Sequence, residues 1–216
     1  MKVVVILSGG VDSSVLLYDV VSTKNEVYAL SFDYGQKHKK EIECAKETCK
    51  KLKVPHKIID LKVLGEVAPS ALTRKEWNIP EGDYNKENMS QTVVPNRNMC
   101  MLSLATAFAI GIKANYLYYG AHGGDHELYF DCRPAFVEAM KEVIALADQH
   151  TVELKVPYLH MSKVDIVNRG TNLGVDFKNT WSCYEGKEKA CGKCGTCKER
   201  LGAFLDLGLS DPIEYE

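Results

Sequence analysis

The chain has 216 residues, 45% of them hydrophobic and 26% charged, with 27 basic against 29 acidic side chains. That balance excludes disorder and fibrous architecture, and a formal net charge of -2 supplies no general attraction to nucleic acid or to an anionic membrane. At about 150 residues per domain the length suits one main core with a small appendage, and the charge favours a small-molecule partner.

Residues 3–7 are a continuous aliphatic run, as in a strand buried on both faces, and residues 13 to about 21 read as a helix. Residues 27–32 give a second strand. From Lys39 onward Ile42, Ala45, Cys49 and Leu52 recur at helical spacing, and residues 56–61 read as a third strand. Residues 64–96 break the pattern with Pro69, Pro80, Gly82 and Pro95 and no sustained period, so a lid or substrate loop is expected there. Residues 99–112 are apolar nearly all round, which predicts a buried helix. They are too few to cross a bilayer and include Ser103 and Thr106. A fourth strand is expected at 116–119, and Pro134 opens a helix whose stripe is Phe136, Met140, Val143, Ile144 and Ala147. A fifth strand at 152–156 and a helix at 162–173 follow, and from Thr180 the chain turns rich in Cys, Gly and Lys. Alternating strands and helices predict an α/β fold: a doubly wound, parallel five-stranded sheet with helices on both faces. The opening apolar run is too short for an export signal, so a reducing cytoplasmic setting is expected, in which clustered thiols serve as metal ligands more often than as disulfides.

Between the first strand and first helix lies Ser8-Gly9-Gly10-Val11-Asp12-Ser13-Ser14. Adjacent glycines let backbone amides approach an anion, serine hydroxyls add hydrogen bonds, and the unpaired amides of the first helical turn add partial positive charge. It is neither a Walker A loop nor a dinucleotide fingerprint. A plain glycine turn with a Ser or Asp cap is the bland alternative, and Asp12 suits a cap or a magnesium ligand equally. Cys183, Cys191, Cys194 and Cys197 are separated by seven, two and two residues, with Gly192 and Gly195 among them. Four thiolates close a tetrahedral shell, which indicates structural zinc, with an iron-sulfur cluster as the alternative. Asp125 and Asp131 are candidates to accept hydrogen bonds from an amino-pyrimidinone ring, and Arg97 or Arg133 to clamp a carboxylate or phosphate. Each of these residues also fits a solvated surface pair.

Ser-Gly-Gly-x-Asp-Ser behind an N-terminal strand resembles the pyrophosphate loop of the adenine-nucleotide α-hydrolase superfamily, whose members cleave ATP between the α and β phosphates. The succession of that loop, Tyr34-Gly-Gln-Lys-His, Val94-Pro-Asn-Arg-Asn, Gly123-Gly-Asp-His, Asp131-Cys-Arg-Pro-Ala-Phe, Lys163-Val-Asp-Ile, Thr180-Trp-Ser-Cys-Tyr and Cys191-Gly-Lys-Cys-Gly-Thr-Cys resembles the 7-cyano-7-deazaguanine synthase family from end to end. Phe130 stands where the family usually has proline. The resemblance implies that 7-carboxy-7-deazaguanine and ammonia become the nitrile at the expense of two ATP, through an adenylylated carboxylate and then an adenylylated amide. It implies an ATP segment of Leu7, Ser8, Gly9, Gly10, Val11, Asp12, Ser13, Ser14, Val15, Leu16 and Leu17. Ser8, Asp12, Arg97 and Lys163 are the implied catalytic residues, and Arg97, Asp125, Tyr129, Asp131 and Arg133 the implied contacts to the base. Zn2+ on the four cysteines and Mg2+ complete the implied cofactors.

The expected organisation is a nucleotide-binding unit over 1–178 with the insertion near 64–96, then a zinc unit over 179–216. The general base is not identifiable; His38, His122 and His126 are candidates by type alone. No direct nucleic-acid or membrane partner is expected, and a homodimer is the commonest closed assembly. The competing readings are a tRNA thiolase or lysidine synthetase built on the same loop, and a zinc-ribbon module that senses a nucleotide without turning it over.

Overall fold

The protein is described by a computed structural model covering residues 1–126 and 128–216. Strands β1 (Lys2–Ile6), β2 (Glu26–Asp33), β3 (His56–Asp60), β4 (Tyr116–Tyr118) and β5 (Glu153–Lys155) pair in parallel in the order β3-β2-β1-β4-β5. The helices are α1 (Val11–Ser22), α2 (Lys40–Leu52), α3 (Lys62–Val67), α4 (Lys86–Met89), α5 (Arg97–Gly111), α6 (Pro134–Ala145), α7 (Lys163–Asn172) and α8 (Gly195–Asp206). The chain runs outward from β1 through β2 to β3, then returns to β4 on the other side of β1. That reversal opens a crevice at the carboxyl ends of β1 and β4, the place where such sheets receive ligands.

The aliphatic run of β1 explains the layering. Val3, Val5 and Leu7 project into a core shared with α1, α7 and α8, whereas Val4 and Ile6 project into a second core with α5 and α6. Both faces of the strand are dry, as its lack of polar alternation predicts. Within α5, Leu102, Ala105 and Ala109 enter the second core, and Thr106 disposes of its hydroxyl by donating to the Leu102 carbonyl at 2.7 Å. Met99 and Leu104 stay exposed, so the helix is buried along one side rather than all round.

Residues 64–96 contain the end of α3, the whole of α4 and a 3-10 turn, Ser90–Thr92. Leu64, Ala68, Ala71, Leu72, Ile79 and Val94 pack in a third core with Trp181 and the four clustered cysteines. The C-terminal segment also reaches back under the sheet, where α8 places Ala203 and Phe204 in the first core. Arg200 anchors it. Its guanidinium donates from Nε to Asp211 Oδ2 at 2.6 Å and from Nη2 to Asp211 Oδ1 at 2.9 Å, and it also donates to the carbonyls of Thr180 and Phe177. Both partners are 2% exposed or less.

Removing one member of a buried pair strands the other's charge, so Arg200→Met should lower unfolding free energy by about 3–5 kcal/mol in urea titrations. Adding Asp211→Leu should recover much of that loss. A single-variant loss under about 1 kcal/mol would show that the pair does not anchor the tail.

Candidate active site

Gly10 occupies the cap position of α1, and among the described residues no side chain caps that helix. Its first-turn amides are therefore available to an anion at the sheet's crevice. Gly9 has φ of +99°, and a methyl group there would stand 1.9 Å from the Glu41 carbonyl oxygen, so α2 packs directly on the loop. Ser13 Oγ accepts from the amides of Ser8 (3.1 Å) and Gly9 (3.3 Å) and lies 3.0 Å from Ser8 Oγ. Ser14 Oγ is buried with no hydrogen-bond partner among the described residues, a donor in want of an acceptor. The Trp181 amide donates to the Gly9 carbonyl at 3.0 Å, and its indole Nε1 donates to the Cys183 carbonyl at 2.9 Å, which ties the loop to the cysteine cluster. Leu7, Ser8, Gly10, Val11, Asp12 and Ser13 line a cleft of about 200 Å³, while Val15, Leu16 and Leu17 are wholly buried and hold the helix in place.

Beside the loop, the Lys163 ammonium donates to both oxygens of Asp12 at 2.7 Å and lies 3.3 Å from Glu199 Oε2. Lys163 opens α7, whose start is fixed by a reciprocal capping box between Ser162 and Asp165. Burial opposes the charge on each side, and the partner outweighs it. Asp12 is held below its ordinary 3.8 by Lys163 and His122, and Lys163 above its ordinary 10.5 by Asp12 and Glu199. Glu199 behaves differently, since burial raises its carboxyl above the usual range and Lys163 only partly offsets this. His122 Nδ1 accepts from the Gly124 amide at 3.1 Å, and its Nε2 lies 3.4 Å from Asp125 Oδ2. Tyr84 donates to Asp125 Oδ1 at 2.8 Å.

The rest of the cleft is an aromatic chamber that includes Phe32, Tyr34, Tyr119, Tyr129 and Tyr184. Arg97, at the start of α5, donates to the Tyr34 hydroxyl at 3.3 Å and lies 5.6 Å from that ring's centre. The structure thus brings Ser8, Asp12, Arg97, Asp125, Tyr129 and Lys163 to one cleft. Asp131 and Arg133 make other contacts. Asp131 accepts from the Asn98 amide at 3.1 Å, capping an α5 that begins at a left-handed Asn96, and Arg133 donates to the His126 carbonyl while stacking 3.7 Å from the Phe130 ring centre. Neither side chain lines the cleft, and of the three histidines only His38 and His122 do. Sequence reasoning missed Glu41, Tyr84, Tyr184 and Glu199. Glu199 had one available signal, its place two residues beyond Cys197 on the helix that the cysteines begin.

The sulfurs of Cys183, Cys191, Cys194 and Cys197 lie within 4.8 Å of one another. Amides point at them: Cys191 N–H donates to Cys183 Sγ at 3.3 Å, and the amides of Lys193 and Cys194 donate to Cys191 Sγ at 3.4 and 3.3 Å. Such donors favour thiolate, the form that binds a metal ion, so the donor set suits one. Cys44 and Cys49 stand apart from this group of four, and burial pushes their thiols up to about 11 and about 12.

A parallel sheet in this order, with a glycine-serine loop feeding an uncapped helix at the switch point, defines the PP-loop class of adenine-nucleotide α-hydrolase-like folds. A 4-thiouridine synthetase solved in complex with RNA and bound ATP superposes on 96% of this chain and 51% of its own with a TM-score of 0.53, at 17% identity, a likeness of fold. The family described as "Queuosine biosynthesis protein QueC" matches residues 2–208, and the chain belongs to that family. Among relatives, the "7-cyano-7-deazaguanine synthase" of Methanoregula boonei is 59% identical over the full length of both chains. The protein of the same name from Caldicellulosiruptor saccharolyticus is 60% identical over 100% of this chain and 96% of its own. No helix among the described residues is long and apolar enough to cross a membrane.

Two measurements bear on this geometry. Asp12's share of stability is present above pH 3.8 and lost as pH falls through its lower folded value, whereas Lys163's is present below pH 10.5 and lost above it. Lys163→Gln should therefore cost about 2 kcal/mol in urea at pH 7, with the deficit shrinking in acid below the Asp12 transition; a deficit that grows there would contradict the pairing. Cys194→Ser should lose its bound metal, read by elemental analysis, and melt earlier. A variant equally stable without metal would show that the four cysteines hold no structural ion.

Proposed function

We propose that the chain makes 7-cyano-7-deazaguanine from 7-carboxy-7-deazaguanine, ammonia and ATP, acting as a carbon-nitrogen ligase. The observation that carries the reading is the juxtaposition of an uncapped helix N-terminus and its glycine-serine loop with a chamber of tyrosines closed by Arg97. Its family and its relatives' names support it. A carboxylate is a poor electrophile with poor leaving groups, so each of its two oxygens must be activated before the carbon can become a nitrile.

The tyrosine rings would sandwich the flat base, and Arg97 would hold the exocyclic carboxylate while one oxygen attacks the α-phosphate of ATP. Pyrophosphate would depart into the loop, where the unpartnered Ser14 hydroxyl and the open α1 amides offer donors, and Ser8 and Ser13 would exchange their mutual contact for the phosphate oxygens. Lys163 would shift its charge from Asp12 toward the departing oxygens. Magnesium, for which Asp12, Asp125 and Glu199 are the carboxylates at hand, would supply further charge neutralisation. Ammonia then displaces AMP to give the amide. In the second round the amide oxygen takes AMP, and loss of AMP with the nitrogen's remaining protons leaves the triple bond. The cysteines would hold zinc: the shell is closed to substrate and lies outside the cleft's charge cluster, so its role is structural.

The test is incubation with ATP, magnesium, ammonium and the carboxylated base, with mass analysis of the base product. The expected product is the nitrile, with Ser8→Ala and Arg97→Met each slower by about 10²-fold. Accumulation of the amide alone would refute the second adenylylation, and an untouched base would refute the assignment of substrate.

A further inference from the structure

Ammonia is almost wholly protonated at neutral pH, like other simple amines, so an enzyme that consumes it from solution needs a place that attracts ammonium and removes a proton. The charge cluster around Asp12 is a poor candidate, because Lys163 already occupies it with a cation. The other carboxylate on the cleft wall is Glu41, in the first turn of α2. It is 15% exposed, and its Oε2 lies 3.4 Å from Nε2 of His38.

The space beside Gly10 is where Glu41 points. A methyl group on Gly10 would stand 3.0 Å from Glu41 Oε1, 3.2 Å from Ser8 Oγ and 3.6 Å from the Trp181 carbonyl oxygen. Three oxygens from three parts of the chain thus lie around Gly10 at the rim of the phosphate loop, and among the described residues Glu41 has no ion-pair partner except a protonated His38. His38 is 3% exposed, lines the same cleft, and its Nδ1 has no hydrogen-bond partner among the described residues. Its ring packs on Tyr184 at 5.1 Å between centres, which puts the Glu41–His38 pair between the phosphate loop and the aromatic chamber.

We propose that Glu41 is the ammonium-binding residue of the reaction, holding NH4+ beside Gly10 together with Ser8 Oγ and the Trp181 carbonyl. This rests on the reading of the reaction given above. His38 is a positioning residue that fixes the second carboxylate oxygen. In the step itself NH4+ gives one proton to the Glu41 carboxylate, and the freed lone pair forms the C–N bond to the acyl adenylate. The C–O bond to AMP breaks with its electron pair going to the phosphate oxygen. The nitrogen sheds its second proton to that oxygen or to water, leaving a neutral amide.

The experiment separates adenylylation from amine capture in the full chain. Pyrophosphate–ATP exchange dependent on the carboxylated base reads the first. The second is read by turnover with ammonium and, in parallel, with hydroxylamine, a nucleophile that is mostly uncharged at neutral pH and needs no such site. For Glu41→Gln we expect exchange and hydroxylamine turnover near those of the wild-type chain and a KM for ammonium raised about tenfold or more. His38→Asn should raise the same KM by a smaller factor. An unchanged ammonium KM in Glu41→Gln overturns the proposal, as does an equal loss of exchange and of turnover with both nucleophiles, which would mark Glu41 as a support of the phosphate loop. Absence of exchange in the wild-type chain would instead overturn the underlying reading of the reaction.

Discussion

The first turn of α1 is a set of amide donors that no side chain among the described residues caps, because a glycine stands where a serine or aspartate would ordinarily fold back. Leaving such donors unpaired is unfavourable, whereas the loop just before them keeps its own amides paired, with Ser13 Oγ taking those of Ser8 and Gly9. A ligand rich in oxygen can replace those contacts one for one. The β3-β2-β1-β4-β5 order puts this turn at the reversal of the sheet, and crowding by the Glu41 carbonyl leaves Gly9 as the residue that fits.

The C-terminal segment is part of the same device. Trp181 links Gly9 to Cys183 through its amide and its indole, and α8, which starts just after Cys194, carries Glu199 to within 3.3 Å of Lys163. A cluster that fixes Cys194 and Cys197 therefore also fixes where Glu199 stands. Arg200, one residue further on, binds this helix to the tail through Asp211, so a few consecutive residues of α8 serve the cysteine cluster, the charge cluster and the anchoring of the terminus.

Much of this was legible in the chain itself. The unbroken aliphatic run of β1 reflects a one-dimensional pattern, and the glycine-serine loop and cysteine spacing are local patterns whose chemistry depends on neighbours in sequence. The expected α6 stripe is only partly right, since Met140 and Ile144 are buried but Val143 and Ala147 are exposed and Val137 is buried in their place. Asp131 and Arg133 have partners that were not legible in the same way. They are the right residue types beside the right strand, yet the left-handed Asn96 leaves α5 without a local cap and draws Asp131 to it, and Arg133 finds the His126 carbonyl and the Phe130 ring. Glu199, Tyr84 and Glu41 were missed for the converse reason. Glu199 and Tyr84 lie far in sequence from Lys163 and Asp125, which they face, and Glu41 far from the Gly10 loop, so only the packing of α8, α2 and the segment before α4 around the crevice brings them there.

The central claim is that the loop at the head of α1 receives the two terminal phosphates of ATP together, so that cleavage falls between the α and β phosphorus atoms. Phosphorus NMR of the spent nucleotide, after turnover with the carboxylated base and ammonium, tests this most directly. AMP and pyrophosphate formed in equal amounts is the result the account requires. ADP and inorganic phosphate would contradict it, because the terminal phosphate would then have moved alone.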